Sequence, residues 1–247
     1  MTPDSTGLFK ERPAPPKGGR LTTVQQIYQT VRDQIVSLDL PPGTVLQTRQ
    51  IAETFGVSPT PVREALILLE EEGLVDVFPQ SRTCVSFIDI QSAREAHFLR
   101  RSVEVEIART LAAEISDDEV DALRAAIGRQ RTALEAGDLS AFLPADNRFH
   151  EMMYEMAGVG GLWDIIHARR AHLDRLRRLH LPTEGKAAKI IRDHEAILDA
   201  IDARPRVPAL GHAAGTPNDA EAAVRAHLKD TVSATGEMRA VFPEYFR

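Results

Sequence analysis

The chain has 247 residues, 43% of them hydrophobic, and a formal net charge of −6 at pH 7. That size supports a substantial core, as one large domain or, preferably, two ordinary ones, while the acidic balance excludes a generally basic nucleic-acid coat, so any DNA contact must use a local positive surface. A single cysteine, Cys84, excludes both a disulfide framework and a Cys-based zinc finger. No apolar run approaches the roughly 18–20 residues that span a bilayer, and the Pro-rich start lacks the apolar centre of a secretory signal, so a soluble cytoplasmic protein is expected.

Residues 1–20 contain Pro3, Pro13, Pro15 and Pro16 with Gly7, Gly18 and Gly19, and no apolar periodicity offsets the entropy of ordering them; a disordered arm is expected. From Thr22 onward, Val24, Ile27, Tyr28, Val31, Ile35 and Leu38 recur at three- and four-residue steps and predict a helix that Pro41-Pro42-Gly43 ends. A short helix follows over Thr48–Phe55, with Gly56 placed for a left-handed C-terminal turn, and Ser58 is expected to cap the next. Pro59 and Pro61 are no obstacle there, because first-turn N–H groups have no intrahelical partner. Val62, Ala65, Leu66, Leu69 and Leu74 are expected in a core. Leu74–Phe78 and Cys84–Ile88, flanking Pro79–Thr83, predict a two-stranded ribbon. Residues 21–89 therefore read as a winged helix-turn-helix.

From Ser92 the pattern is almost wholly helical. Leu99, Val103, Ile107 and Leu111 form one stripe, and Ser116-Asp117-Asp118-Glu119 is a capping box opening a helix that carries Val120, Leu123 and Ile127. Further helices are expected over Leu139–Met156, Leu162–Leu179, Thr183–Ala203 and Asp219–Val241, with Arg204–Asn218 as an exposed loop. The expected fold class is mainly α: an N-terminal winged helix-turn-helix followed, over residues 90–247, by an all-α antiparallel helical bundle.

In a helix-turn-helix the second helix enters the major groove by its N-terminal turn. Thr60 and Arg63 occupy that turn; Arg63 suits a guanine or phosphate, Thr60 a phosphate, and Arg49 and Arg82 sit where they would extend the contact. The plain alternative is a surface pairing of Arg63 with Glu64 or Glu70. The stretch "TRQIAETFGVSPTPVREALILLEEEGLV" resembles the DNA-binding domain of the GntR superfamily of bacterial transcription regulators, over Leu21–Ile88. The resemblance implies DNA contacts by Arg49, Thr60 and Arg63. Two positions depart from the family pattern: Pro59 replaces a usual arginine, and Thr83 a usual wing-tip glycine.

"ADNRFHEMMYEMAG" sets Asp146 and His150 four residues apart on one helix face, a separation that suits two ligands of one cation. His194 and His227 lie on later helices among apolar residues and are expected to point inward; a lone inward histidine is more often a hydrogen-bonded core residue than a ligand. Together the four suit Zn, or Ni, Mn or Fe. An Asp-x-x-x-His with two later histidines resembles the metal-binding set of the FCD effector domain found behind GntR-type DNA-binding domains, and "LRRSVEVEIARTLAA" resembles that domain's opening helix, with Arg100 and Glu104 at its recurring positions. The resemblance covers about Ser92–Met238. It implies a divalent metal at Asp146, His150, His194 and His227, a small carboxylate effector held by Arg100, and dimerisation through this domain; a simple Arg100–Glu104 helix pair stays open beside it. Val159 departs from a usual asparagine, and residues 204–218 exceed the usual connection. His97, His167, His172, His180 and His212 match no ligand position.

The rival class is a metal-dependent hydrolase, in which a bound cation acidifies water beside a carboxylate base. His150-Glu151 and His194-Glu195 invite it, but neither continues into His-Glu-x-x-His, and neighbouring helical residues diverge by about 100°. The expectation is a homodimeric, ligand-responsive regulator of double-stranded operator DNA.

Overall fold

The computed structural model describes residues 21–203 and 217–247; the expected arm over 1–20 and nearly all of the expected loop over 204–218 lie outside the described residues. Two compact units are present. One comprises the residues up to Ile90 together with Arg239–Arg247, the other Gln91–Met238.

In the first unit α1 (Thr23–Val36) opens with a capping box between Thr22 and Gln25 and buries Ile27, Val31 and Ile35. It stops short of the expected Leu38, which turns to φ 65° ahead of the proline pair. Helix α2 (Thr48–Phe55) ends at Gly56 with φ 65°, a left-handed conformation that glycine adopts without strain. Helix α3 (Pro59–Glu71) packs Val62, Ala65, Leu66 and Leu69 inward against α1 and α2. Ser58 occupies its N-cap position, yet its side chain makes no capping hydrogen bond. Of the second and third helical N–H groups from which an N-cap oxygen accepts, the sequence removes one, because Pro61 holds the third position.

The wing pairs β1 (Val75–Phe78) antiparallel with β2 (Arg82–Val85), in the register Val75↔Val85 to Phe78↔Arg82. The second strand begins two residues before the expected Cys84 and ends at Val85, not Ile88. Gln80 adopts φ 57° and tightens the turn, which carries Arg82 and Thr83 into the ladder. Beyond it Ser86 bonds back instead, its hydroxyl donating to the Gly73 carbonyl at 2.6 Å. Residues 239–247 group with this unit and not with the helical one to which the sequence assigned them. The Ile88 N–H donates to the Tyr245 carbonyl at 2.9 Å, Phe246 is buried, and Arg247 reaches Asp76 at 3.2 Å.

The second unit is helical. Helix α4 (Ile90–Glu114) buries Ala93, Ala96, Arg100, Glu104, Ile107, Ala108 and Leu111. The expected stripe holds only in its second half, because Leu99 is exposed and Arg100 and Glu104 take the inward face. Helix α5 (Asp117–Glu135) opens with the expected Ser116–Glu119 capping box and packs on α6 (Leu139–Met156) and on α9 (Lys186–Asp202). The expected helix over 162–179 is two, α7 (Gly161–Arg169) and α8 (Ala171–His180), broken at Arg170, whose φ −96° and ψ 7° leave the helical region. Helix α9 starts three residues later than expected, after Gly185 at φ 72°. The last expected helix is likewise divided, into α10 (Pro217–Ser233) and α11 (Thr235–Val241). Leu123, Phe142, Phe149, Tyr154, Ile197 and Ile201 are fully buried at the centre of the bundle. No helix among the described residues is long and apolar enough to cross a membrane.

Candidate functional site

In the winged unit, Thr60 and Arg63 are both exposed on the first turn of α3. Among the described residues Arg63 forms no ion pair, so the alternative pairing with Glu64 or Glu70 is not made. Arg49 is exposed and bonds Glu53 one turn later at 2.8 Å, a solvated contact that costs little to exchange for a phosphate. Arg82 is exposed at the wing turn with its guanidinium 5.3 Å from the Phe78 ring centroid.

In the helical unit, α6 delivers Asp146 and His150, α9 delivers His194 and α10 delivers His227, all nearly or wholly excluded from solvent. Donor atoms of the three imidazoles lie within 4.8 Å of one another. His194 Nε2 is 3.2 Å from His227 Nε2, and Asp146 Oδ1 is 3.8 Å from His194 Nε2. On the far side of each ring stands another group: Glu104 Oε2 is 3.1 Å from His150 Nδ1, Gln130 Oε1 is 2.8 Å from His194 Nδ1, and Asp193 Oδ2 is 3.4 Å from His227 Nδ1. Protons drawn to the Nδ1 atoms leave the Nε2 atoms as lone pairs. Asp146 Oδ1 and His150 Nε2 are buried without a hydrogen-bond partner. Buried polar atoms are normally paired, and here unpaired electron-rich ones lie beside the three grouped imidazoles. The donor chemistry of the set fits a divalent cation: bonds of about 2.0–2.1 Å place neighbouring ligands about 3.0–3.4 Å apart, the spacing of His194 and His227 at 3.2 Å, while Asp146 Oδ1 stands farther, at 3.8 Å.

Electrostatics prepares the same state. Burial, with Arg100 nearby, pushes the His150 imidazole down to about 4, and burial followed by the neighbouring histidines holds His194 well below its ordinary value. Both are neutral, as ligands must be. Burial alone would raise the Asp146 carboxyl, but Arg177, which donates to its Oδ2, leads the contacts that keep it well below the usual carboxylate range.

Arg100 bonds Glu104 at 2.7 Å with both side chains buried, so the simple helix pair is formed; its Nη2 nevertheless has no partner. Arg100, Asp146, Arg177, His180, Lys186 and His227 line a cavity of about 20 Å³, room for roughly one water-sized group. His180 and Lys186 also line a wider cleft of about 560 Å³ beside Lys189 and Arg192. Sequence reasoning left out Gln130, Arg177 and Asp193. Gln130 carried a signal, a polar residue on the Val120–Leu123–Ile127 stripe of α5; for Arg177, spacing offers none.

Comparison with known proteins agrees with this architecture. The family model of bacterial regulatory proteins of the gntR family matches residues 23–85, and that of the FCD domain matches residues 95–209. An uncharacterized HTH-type transcriptional regulator in an unstable DNA locus of Streptomyces ambofaciens is 36% identical, over 91% of this chain and 90% of its own length. The HTH-type transcriptional repressor RspR of Escherichia coli K12 is 33% identical, over 73% of this chain and 79% of its own. Among solved structures, E. coli McbR/YncC superposes with a TM-score of 0.71 at 18% identity, covering 88% of this chain and 99% of that one; at that identity the likeness speaks for the fold. The family and these relatives are transcription regulators, which leaves the hydrolase reading without support. The chain belongs to the GntR family of bacterial transcription regulators, a DNA-binding protein with an FCD domain behind its winged helix-turn-helix, and not an enzyme.

Proposed function

We propose that this regulator is a homodimer whose FCD domain holds a divalent metal and senses a small carboxylate metabolite, changing the grip of its winged domains on operator DNA. The observation that carries the metal reading is the convergence of His150, His194, His227 and Asp146 with their buried unpaired acceptor atoms. Zinc suits the three imidazoles and one carboxylate best, with nickel, manganese and iron as its competitors. When bound, the cation supplies a positive centre to which a carboxylate adds as a further ligand.

Arg100 faces the same cavity with an unpaired Nη2, which suits the second contact to that anion. The small cavity volume means that a metabolite enters with movement of its walls, and the cleft sharing His180 and Lys186 is the natural approach. A ligand that prefers one arrangement of a dimer shifts the spacing of the two recognition helices, and only that preference can do so. Arg49, Thr60, Arg63 and Arg82 contact DNA in this reading, Arg63 from the first turn of α3. Repression, the mode named for RspR, is extended to this chain.

Elemental analysis of the purified protein tests the centre. About one metal per chain is expected, and most of it should be lost in His150→Ala; no stoichiometric metal in the wild type, or unchanged content in the variant, overturns it. The DNA contacts are tested by Arg49→Ala combined with Arg63→Ala. That variant should bind operator DNA at least tenfold more weakly and with a shallower salt dependence; unchanged binding removes both residues from the interface.

A further inference from the structure

The histidine centre rests on three contacts behind the rings, and one differs in kind. His150 and His227 are backed by the carboxylates of Glu104 and Asp193, whereas His194 is backed by the neutral amide of Gln130. This is the shortest of the three, at 2.8 Å, and Gln130 is fully buried. Its other end is engaged as well: Nε2 faces the Ala145 carbonyl at 3.5 Å, in the residue next to Asp146. Reversing the amide would set two oxygens against each other at Ala145, so Oε1 stays toward His194. An acceptor at that point requires the His194 proton on Nδ1. Phe149 stacks on the same ring, centroids 4.3 Å apart and planes 18° from parallel, which fixes the plane of the imidazole, and the Gln130 contact selects which nitrogen faces α5.

We infer that Gln130 is a positioning residue that fixes the tautomer of His194 and so presents the Nε2 lone pair to the metal. The inference rests on the metal reading above and extends it to a residue on α5, which supplies none of the four ligands. Partners behind a ligating histidine typically change metal affinity 10- to 100-fold when removed. With the opposite tautomer, His194 Nε2, which stands 3.2 Å from His227 Nε2, would carry a proton directed into the space where the cation belongs.

Two measurements test it. In metal-free protein, long-range proton–nitrogen NMR correlations should show His194 protonated on Nδ1 in the wild type and on a mixture of both nitrogens in Gln130→Leu. Zn2+ affinity, measured by competition with a chromophoric chelator, should fall 10- to 100-fold in Gln130→Leu and stay within a few-fold of wild type in Gln130→Glu, which keeps an acceptor. Thermal melts of the metal-free proteins show whether each variant folds. A wild-type His194 protonated on Nε2, or a folded Gln130→Leu that binds Zn2+ within twofold of wild type, overturns the inference. Should the wild type bind no Zn2+, the metal reading falls, and the tautomer of the metal-free protein still decides the Gln130 contact by itself.

Discussion

At the scale of single residues, the winged unit contains a titratable knot that joins α1 to the end of α3. The Tyr28 hydroxyl donates to Glu72, whose other oxygen receives Arg32 Nε at 2.9 Å. Burial, then the Glu72 hydrogen bond and charge, push the Tyr28 phenol up to about 12 from 10. Between those values the unfolded chain releases the proton first, so the folded state holds more protons and stability falls as pH rises. The contribution is complete below pH 10 and gone above 12. Alkaline unfolding followed by circular dichroism should therefore show a stability loss across pH 10–12 that is absent in Tyr28→Phe; identical pH profiles would count against the knot. Pro59 is a second informative residue, exposed on the turn that presents Thr60 and Arg63. Pro59→Arg restores the side chain usual in the family, and a charge-assisted base contact contributes about 1–3 kcal/mol, so operator affinity should rise about 5- to 150-fold in a gel-shift titration. Asp146 and His150 were legible because helix geometry alone puts residues four apart on one face. Arg177 was not, since the meeting of α8 with α6 depends on packing.

At the scale of elements, amphipathic periodicity located most helices within a few residues and failed where polar side chains took core positions. On α4 the apolar stripe through Leu99 was the natural choice, yet Arg100 and Glu104 point inward because each neutralises the other and both face the histidine centre. The break between α7 and α8 has a similar origin. The Arg170 guanidinium is buried 4.4 Å from the Trp163 ring centroid and 3.0 Å from Asp174, contacts that no periodicity announces. Where the core is purely apolar, the stability consequences follow directly. Leu69, fully buried on α3, should cost about 2–5 kcal/mol when cut to alanine, measured by urea denaturation, and DNA binding should weaken with it because α3 also presents Arg63. Gly56→Ala imposes a side chain at φ 65° and should cost about 1 kcal/mol; a neutral effect would mean that the turn between α2 and α3 relaxes.

At the scale of the whole molecule, a metal bound only by the folded state should stabilise it by mass action. At free Zn2+ about 1,000 times the dissociation constant, the gain is about 4 kcal/mol. Zn2+ should raise the melting temperature and chelation should lower it again, with both responses lost in His194→Ala; a melting temperature indifferent to Zn2+ in the wild type removes the centre from the stability of the fold. The sequence by itself determined the order of a winged helix-turn-helix and a helical bundle, the placement of Thr60 and Arg63 on the first turn of α3, and the candidate ligands Asp146, His150, His194 and His227, because each is written in local spacing or in a dense family motif. Only the tertiary structure decided that three imidazoles from α6, α9 and α10 bring their nitrogens within 4.8 Å of one another, that Glu104, Gln130 and Asp193 stand behind them, and that residues 239–247 belong with the winged unit. Those are meetings of residues as many as 171 positions apart. Packing of side chains from different elements sets them, and no local pattern carries that information.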